Sequence, residues 1–282
     1  MSEAVISDVT DTALWVAAYR AQETQRSDAL FHDQFADLLV GEKGQNIAAT
    51  MGRSHLVSWM VVVRTCLIDA FISELVAQGV DTFLNLGAGL DTRPYRLPLP
   101  ATLRWIEVDY PAIIDLKEAR LRGKKSRCHL ERVRLDLTDG PARMKFFDEV
   151  SSRSGRVVIL TEGVIPYLKE AEVAALANDL RACDNFAFWI VDYFAPSLLR
   201  LVRWSGLARR RMRNAPFQFS PKEPRTFFRE HGWKERETRF LAVEAEKLGR
   251  PFPKLWWTRL LLALLPKDER QKLRGYSLLE RA

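Results

Sequence analysis

Cysteine and histidine are scarce in this chain, which has three of the former and four of the latter among 282 residues. The cysteines are far apart and form no Cys-x-x-Cys pair. That spacing excludes a disulfide framework and a zinc ribbon, and it fits a reducing, cytoplasmic compartment. No His-Glu-x-x-His spacing occurs either, so the sequence predicts no metal site.

Long apolar runs, internal repeats and low-complexity tracts are also missing. The most apolar late stretch, 255–265, is interrupted by Thr258 and Arg259. It is much shorter than the ~20 residues that a bilayer-spanning helix needs. The first fifteen residues contain acids and no basic segment followed by an apolar one, which does not match a secretory signal. We therefore expect no membrane span and no secretory leader.

The composition that is present is typical of a soluble globular protein, with 47% hydrophobic and 28% charged residues. Lys and Arg number 43 and Asp and Glu number 36, which gives a net charge of +7. Six arginines between Arg200 and Arg213 nearly equal that surplus. This cluster has three interpretations: a solvated lid helix, attraction of an anionic substrate, or a nucleic-acid site. We expect a small-molecule substrate, anionic in the second interpretation, and no nucleic-acid partner.

Short β-prone runs alternate with helical segments in the middle of the chain. Two long helical regions are predicted before them, at 11–40 and 45–78. The runs are 81–86, 103–109, 130–135, 156–160 and 186–191, and the helices between them are predicted at 111–122, 143–153 and 169–181. Strands that alternate with helices of this length predict parallel βαβ units in a doubly wound sheet.

The C-terminal part departs from that rhythm. Strands are predicted at 235–245 and 276–282, with a helix at 256–265 between them, which suggests an antiparallel edge. We therefore predict a single α/β domain with four parts: a helical cap (1–78), a cofactor-binding core (79–196), a lid insertion (197–232), and C-terminal strands with a helix (233–282).

The sharpest motif is Asn-Leu-Gly-Ala-Gly-Leu-Asp-Thr-Arg, residues 85–93, directly after the first strand. Gly87 and Gly89 permit a tight turn and a close approach of the backbone to a ligand. A dinucleotide fingerprint has its third glycine where this chain has Thr92, which argues against a pyrophosphate site. By itself the motif fits a plain glycine turn as well as a ligand site.

Acidic residues follow the next three strands. Asp109 lies 20 residues after Gly89, an offset from which a carboxylate can accept both hydroxyls of a ribose. The alternative is that Asp109 caps the helix that begins near Pro111. Asp136 and Glu162 follow the third and fourth strands. Because ligands bind over the carboxyl ends of parallel strands, these groups are expected at one edge. The phosphate-binding Gly-x-x-x-x-Gly-Lys loop is missing, so a ligand with a ribose, an adenine and no pyrophosphate fits, such as S-adenosylmethionine.

Taken together, the motifs resemble those of the leucine carboxyl methyltransferase family, which includes bacterial O-methyltransferases of polyketide type. The resemblance rests on Leu-Gly-Ala-Gly-Leu-Asp-Thr-Arg, Glu-Val-Asp-Tyr-Pro and Thr-Glu-Gly-Val-Ile-Pro-Tyr-Leu, with the N-terminal segment 12–24 and Leu-Phe-His-Asp at 30–33. It covers most of residues 10–195 and fades over 197–275. It implies a Rossmann-like class I methyltransferase sheet with a helical N-terminal addition and a lid. It also implies S-adenosyl-L-methionine-dependent O-methylation of a carboxylate or hydroxyl of a small molecule, or of a carboxyl terminus.

The resemblance also implies roles for individual residues. Gly87 and Gly89, with Ala88 between them, would pass under the methionine part of the cofactor, and Asp109 would hold its ribose. Asp136 and Leu137 would meet the adenine, Glu162 would lie beside the amino end, and Arg64 would pair with the carboxylate. Tyr19 and Tyr167 are placed for substrate contact.

Arg64 has a physical argument of its own. It is a lone charge on an apolar helical face, which is costly unless the charge is paired. The alternative partners are Asp69 and Glu74, although offsets of five and ten residues do not make neighbours on a helix. The planar guanidinium suits a ligand carboxylate.

Two other functions stay open. One is an NAD(P)-dependent oxidoreductase on the same sheet, against which Thr92 argues, and the other is a nucleic-acid-binding module on a methyltransferase-like fold.

For a methyltransferase, a carboxylate acceptor is ionised at pH 7 and needs no base, whereas a phenol with a pKa near 10 gains from one. The sequence has no evident catalytic histidine, which favours a carboxylate. It identifies neither a catalytic residue nor an oligomeric state.

Overall fold

Seven strands form one sheet, with helices packed around it. The computed structural model describes residues 9–50, 55–199, 217–253 and 267–282. The strands are β1 Thr82–Leu86, β2 Arg104–Asp109, β3 His129–Arg134, β4 Val157–Thr161, β5 Phe186–Phe194, β6 Trp233–Phe240 and β7 Arg274–Arg281. The helices are α1 Val9–Thr24, α2 Ala36–Thr50, α3 His55–Ala77, α4 Arg93–Arg96, α5 Pro111–Arg120, α6 Gly140–Ser152, α7 Glu170–Ala182, α8 Pro224–Glu230, α9 Leu241–Lys247 and α10 Lys267–Arg270.

The strand order is β3-β2-β1-β4-β5-β7-β6. The first five strands are parallel, and β7 runs antiparallel to both β5 and β6. The predicted parallel set and antiparallel C-terminal pair are therefore confirmed. Every residue of β1 and β4 is buried, as expected for central parallel strands that are covered by helices on both faces.

The core has one apolar layer on each face of the sheet. On the first face, Phe71 of α3 belongs to the cluster around Phe83 and Trp105, whose rings stack 5.1 Å apart. On the second face, helices α6 and α7 cover a cluster that contains Trp189 and Trp233, with ring centroids 5.6 Å apart. The indole N–H groups of Trp189 and Trp233 both donate hydrogen bonds, so these two rings are buried without an unsatisfied donor.

The prediction of one continuous helix over 11–40 is wrong. Helix α1 ends at Thr24 and α2 begins at Ala36, although no glycine or proline lies between them. The cause is Asp33, whose carboxylate accepts the backbone N–H groups of Phe35 and Ala36 and so starts a new helix. Helix α2 then bends at Gly41, whose φ of 54° lies in the left-handed region.

The predicted helical region 45–78 contains the end of α2, which reaches Thr50, and all of α3, which begins at His55; residues 51–54 between them lie outside the described part of the chain. Within the described residues it alone has the length and apolar composition of a membrane-crossing helix. Such a helix is weak support for a span, because buried core helices meet the same criterion. Here Leu67, Phe71 and Leu75 pack in the core of the sheet.

The C-terminal prediction is correct in part. Strand β7 matches the predicted 276–282 strand, but the predicted 235–245 strand is β6 followed by helix α9. The sequence Leu-Ala-Val-Glu-Ala-Glu-Lys consists mostly of good helix formers, which explains the change of structure after Phe240. The predicted 256–265 helix and the arginines from Arg200 to Arg213 lie outside the described residues. Of the predicted lid, residues 197–199 and 217–232 are described, and the latter include α8.

Candidate functional site

Loops at the carboxyl ends of β1, β2, β3 and β4 converge on one edge of the sheet. They carry the glycine turn 87–89, Asp109, Asp136 and Glu162 respectively. The structure therefore brings together the residues that the strand-end argument predicts at one edge. This edge is where ligands bind in open parallel sheets.

The backbone of the glycine turn is tied to the neighbouring strand. The N–H groups of Gly87 and Ala88 both donate to the carbonyl oxygen of Val108, at 2.8 and 3.1 Å. Gly87 has a φ of 68°, and a Cβ at this position would overlap the Val164 side chain. Glycine is therefore required at 87 for its conformation and for the close approach of the loop after β4.

Asp109 joins the glycine turn to the end of β2. One carboxylate oxygen accepts the Gly89 N–H at 2.6 Å, and the other accepts the Tyr110 N–H at 2.7 Å. The first residue before helix α5 is Tyr110, so Asp109 does not take the predicted alternative role as its cap. Burial raises the pKa of the Asp109 carboxyl above its usual value. Each oxygen keeps a lone pair for a further donor.

Asp136 and Leu137 lie at the outer part of this edge. One Asp136 oxygen accepts both the backbone N–H and the hydroxyl of Thr138, each at 2.8 Å. Leu137 packs partly buried against the core, and its carbonyl oxygen accepts a hydrogen bond from Arg143. The exposed Tyr110 ring stands beside Asp136, so an apolar surface and an acceptor group adjoin here.

Beneath the glycine turn is a network of ion pairs, which we call the charged cluster. It consists of Arg64, Asp69, Asp91, Arg93, Arg96 and Glu162. Its centre is Arg93, which is 3% exposed. The Arg93 guanidinium donates to Asp69 at 2.7 Å and to Asp91 and Glu162 at 2.8 Å each. One arginine thus joins α3, the glycine motif and the loop after β4.

Glu162 lies between two guanidinium groups. Besides Arg93, Arg64 approaches it, with Nε 2.8 Å from Glu162 Oε1. Burial alone would raise the pKa of the Glu162 carboxyl, but the Arg93 and Arg64 charges outweigh it and the pKa lies below its usual value. The Arg64 N–H is not aligned for a hydrogen bond, so this contact is a charge pair only.

The alternative partners considered for Arg64 are engaged elsewhere. Asp69 pairs with Arg93 and Arg96, and Glu74 pairs with Arg239 at 2.6 Å. The partner that the structure gives to Arg64 is Glu162, 98 residues further along the chain, which helical spacing could not identify.

Thr92 explains why the third glycine of a dinucleotide fingerprint is missing. Its side chain is fully buried, and its hydroxyl donates to Asp33 at 2.6 Å. Asp33 also accepts a hydrogen bond from Arg20 at 2.9 Å. The hydroxyl therefore fastens the glycine motif to the N-terminal helical cap, a contact that glycine could not make.

The two tyrosines predicted for substrate contact occupy different environments. Tyr19 is 2% exposed in α1, and its ring centroid lies 5.6 Å from that of Trp15. Tyr167 ends the 3₁₀ turn Ile165–Tyr167, is half-buried, and packs against Phe217 at 5.5 Å. Tyr167 alone of this pair lies in the loop that follows Glu162.

Sequence reasoning missed three charged residues near this edge. Arg93 stands inside the quoted glycine motif, so the motif itself could have indicated it. Asp192 lies near the carboxyl end of β5, where the strand-end rule applies, and its oxygens accept hydrogen bonds from Gly163 N–H and Tyr276 hydroxyl, each at 2.8 Å. Arg274 begins β7, and no sequence signal connects it with the edge.

The site geometry defines a nucleoside-binding edge without a pyrophosphate loop, on a sheet of the class I methyltransferase type. In the described part of the chain no three His, Cys, Asp or Glu side chains converge on a possible metal position. A turn with two glycines at left-handed φ, which lets the backbone approach a ligand closely, fits S-adenosylmethionine together with Asp109 and its free lone pairs. The buried hydroxyl of Thr92, where dinucleotide sites have glycine, does not fit a pyrophosphate.

Comparisons with known proteins agree with this geometry. The family model described as leucine carboxyl methyltransferase matches residues 13–181. A relative from Parafrankia sp. is 32% identical over 270 residues, which cover 86% of this chain and 82% of the relative. A second, from Frankia alni, is 28% identical over 263 residues, covering 86% and 89%. Both carry the name of S-adenosyl-L-methionine-dependent methyltransferase.

Solved structures show the same fold. A DUF574 family protein from Streptomyces avermitilis superimposes with a TM-score of 0.60 at 14% identity, covering 93% of this chain and 99% of its own. A methyltransferase-type structure from Thermobifida fusca gives a TM-score of 0.56 at 16% identity, covering 88% and 93%. This chain belongs to the leucine carboxyl methyltransferase family, and it is an S-adenosyl-L-methionine-dependent methyltransferase.

Proposed function

We propose that this enzyme transfers the methyl group of S-adenosylmethionine to an oxygen atom of a small molecule, either a carboxylate or a hydroxyl, in the cytoplasm. The observation that favours oxygen over nitrogen is the segment that follows β4. Amine-methylating enzymes can present an Asn/Asp-Pro-Pro-Tyr segment after the fourth strand. Here Thr-Glu-Gly-Val stands in that place, and Arg93 and Arg64 already hold the carboxylate.

The ion pair of Arg64 with Glu162 is complementary to the zwitterionic end of the cofactor. An arginine has five N–H donors, and Nε is the nearest of them to Glu162, so other donors remain for a carboxylate. The Glu162 carboxylate can accept hydrogen bonds from an ammonium group. We therefore assign the cofactor's carboxylate to Arg64 and its amino group to Glu162.

The remaining cofactor contacts follow from the geometry of the edge. Asp109 would accept the ribose hydroxyls with its free lone pairs, while its two bonds to backbone N–H groups hold it in place. The backbone of the glycine turn 87–89 would pass under the methionine part. Asp136 and Leu137, beside the Tyr110 ring, would border the adenine.

The sulfonium of the bound cofactor supplies an activated methyl group. The residues of the chain therefore have to place the acceptor oxygen in line with that methyl and exclude water. A carboxylate oxygen is ionised at neutral pH and can attack without a base. A hydroxyl acceptor of high pKa would gain from a general base.

The binding part of the proposal is tested by calorimetry with S-adenosylhomocysteine. Asp109→Ala should lose measurable affinity, whereas Asp115→Ala, an exposed carboxylate in the following helix, should bind as the wild type does. Stabilisation by NADH instead of S-adenosylhomocysteine in a thermal-shift experiment would contradict the assignment. Equal affinity in the two aspartate variants would show that Asp109 does not hold the ribose.

The oxygen acceptor is tested by labelling. The enzyme is incubated with methyl-labelled S-adenosylmethionine and candidate acceptors, and the product is treated with mild base. A carboxyl methyl ester releases labelled methanol, and an aryl ether survives but breaks down under ether-cleaving conditions. Label that resists both treatments and is found on nitrogen or carbon would contradict O-methylation.

A further inference from the structure

A group of partly buried side chains surrounds Arg274 on the β5–β7 side of the same edge. Strand β7 begins at Arg274, which is paired with Phe194, the last residue of β5. Because β5 runs parallel to β4, Arg274 is at the edge where Glu162 follows β4. We call this group the Arg274 recess, and it consists of Met60, Tyr167, Phe194, Phe217 and Arg274.

The guanidinium of Arg274 has poor partners in this recess. One terminal N–H group donates to the thioether sulfur of Met60 at 3.0 Å, which is a weak acceptor. The Nε atom is buried and makes no hydrogen bond with the described residues, and none of their carboxylates lies within 4 Å of the guanidinium. A cation held in this way loses solvation that its neighbours do not replace.

Asp192 is near but does not supply the missing partner. It acts on Arg274 through its charge, yet its two oxygens are bound to the Tyr276 hydroxyl and to the Gly163 N–H. Burial raises the pKa of the Asp192 carboxyl, which weakens it further as a counter-ion.

Few carboxylates lie outside the described residues, where a partner of Arg274 could still be found. Of the 36 Asp and Glu residues of the chain, only Glu3, Asp8 and Asp268 have side chains outside the described set. The segments 200–216 and 254–266 contain no acidic residue at all. Among the described residues no carboxylate forms an ion pair with the Arg274 guanidinium, so an anion from outside the chain can pair with it.

The walls of the recess are apolar and aromatic. The Arg274 guanidinium carbon lies 4.8 Å from the centre of the Phe194 ring, Phe194 packs on Phe217 at 5.3 Å, and Phe217 packs on Tyr167 at 5.5 Å. Stacking on Phe194 holds the guanidinium in one orientation. An anionic group on an apolar body fits both features.

The recess also lies next to the proposed cofactor site. Met60 precedes Arg64 by four residues in α3, which is one helical turn, so the two side chains lie on the same face. Arg64 pairs with Glu162, and Tyr167 belongs to the loop that follows it. The recess therefore adjoins the group assigned to the methionine end of the cofactor.

We propose that Arg274 is the receptor for a carboxylate of the methyl acceptor, whose apolar body packs on Tyr167, Phe194 and Phe217. This inference rests on the proposed function, because it takes the molecule in the recess to be the acceptor. It adds a specific anchoring residue, and it names the substrate class as carboxylic acids with an aromatic or aliphatic body.

The experiment compares acids with their neutral amides. Benzoate, phenylacetate and hexanoate, each paired with its primary amide, are titrated into the enzyme saturated with S-adenosylhomocysteine. The wild type should prefer each acid, and Arg274→Met should lose at least tenfold in affinity for acids but not for amides. Arg274→Lys should recover part of the loss, because lysine restores the positive charge but not the planar guanidinium, which can donate two parallel hydrogen bonds to a carboxylate.

Arg236→Met is the matched control. It removes one arginine from the neighbouring strand β6, where the guanidinium stacks on Phe188. Phe188 lies at the other end of β5, paired with Glu280 of β7, so this charge is remote from the recess. The control variant should keep the preference of the wild type for acids.

The outcomes separate this inference from the proposed function. Equal binding of acids and amides by the wild type, no binding of any acid, or an unchanged preference in Arg274→Met would each overturn the recess assignment. S-adenosylhomocysteine affinity should be equal in all variants. If the wild type does not bind S-adenosylhomocysteine, the cofactor site is refuted instead. If acids bind in a way that depends on Arg274, but the labelling experiment finds the methyl group on nitrogen, only O-methylation is refuted.

Discussion

The charged cluster and the Arg274 recess lie at the same edge of one sheet but differ in the partners that they give to their arginines. In the cluster, Arg93 contacts three carboxylates, and two further arginines complete the pairing. In the recess, Arg274 contacts the thioether of Met60 and the aromatic ring of Phe194. The difference indicates that the carboxylates of the cluster hold their arginines and the attached loops in place, whereas Arg274 has no such carboxylate among the described residues and can bind an anion.

Replacement of Arg93 by leucine should have the largest effect. It leaves three half-buried or buried carboxylates without their shared cation, and the loss of one partner of a buried pair costs about 3–5 kcal/mol. The measurement is urea unfolding followed by circular dichroism. Arg134→Leu is the control, because Arg134 pairs with Asp115 and Glu118 at the surface and its loss should leave the unfolding midpoint unchanged. Equal midpoints for the two variants would show that the cluster does not hold the loops in place.

Gly87→Ala should come next. Alanine at a left-handed φ costs about 1–2 kcal/mol, and relief of the overlap with Val164 costs about 1–3 kcal/mol more. Gly89→Ala should lose only the first amount, because its Cβ would lie 3.7 Å from Ala13, an ordinary contact. Combining Gly87→Ala with Val164→Ala should recover the second amount. An equal loss in the two single variants would mean that the turn does not depend on the close approach of the Val164 loop.

The loss of stability towards acidic pH should be smaller in Arg93→Leu than in the wild type. In the folded wild type the pKa values of Asp91 and Glu162 are lowered, because the effect of Arg93 outweighs burial. Their contribution is present above about pH 5 and is lost as the pH falls through the folded pKa values. Without Arg93 both pKa values rise, because burial is then opposed by fewer cations, so less stability is lost as the pH falls. The remaining cations are Arg64 beside Glu162, and Lys117 and Arg96 beside Asp91.

The measurement is the difference in unfolding free energy between the variant and the wild type from pH 7 to pH 4. This difference should shrink by about 1.4 kcal/mol for each unit of carboxyl pKa change that falls within this pH range. Subtraction cancels the opposite contributions of Asp109 and Asp192, whose pKa values burial raises in both proteins. A difference that stays constant with pH would contradict the assignment of Arg93 as their counter-ion.

Arg274→Met should have the smallest effect on stability. No ion pair with a described carboxylate is lost, so the unfolding free energy should change by less than about 1 kcal/mol. The same urea titration measures it, without added ligand. A loss as large as that of Arg93→Leu would show that Arg274 has a partner within the chain, and the contrast between the two regions would disappear.

Sequence patterns were sufficient for the sheet and for the residues that follow its strands. The βαβ rhythm predicted five parallel strands, and the strand-end rule placed the glycine turn, Asp109, Asp136 and Glu162 at one edge, because each of these signals is local. The failures came where local signals compete. Asp33 starts a helix without a glycine or proline before it, and the β-prone residues of β6 give way to good helix formers after Phe240.

The cofactor type also followed from local residues and from the family resemblance, whereas the partners of the charges did not. Arg64 meets Glu162 across 98 residues, Arg93 joins carboxylates from three segments, and Arg274 reaches the edge only because β7 inserts between β5 and β6. Composition and periodicity determine which segments become strands, since they depend on neighbours along the chain. Which buried charges are neutralised depends on distances between remote segments, and only the tertiary structure decides them.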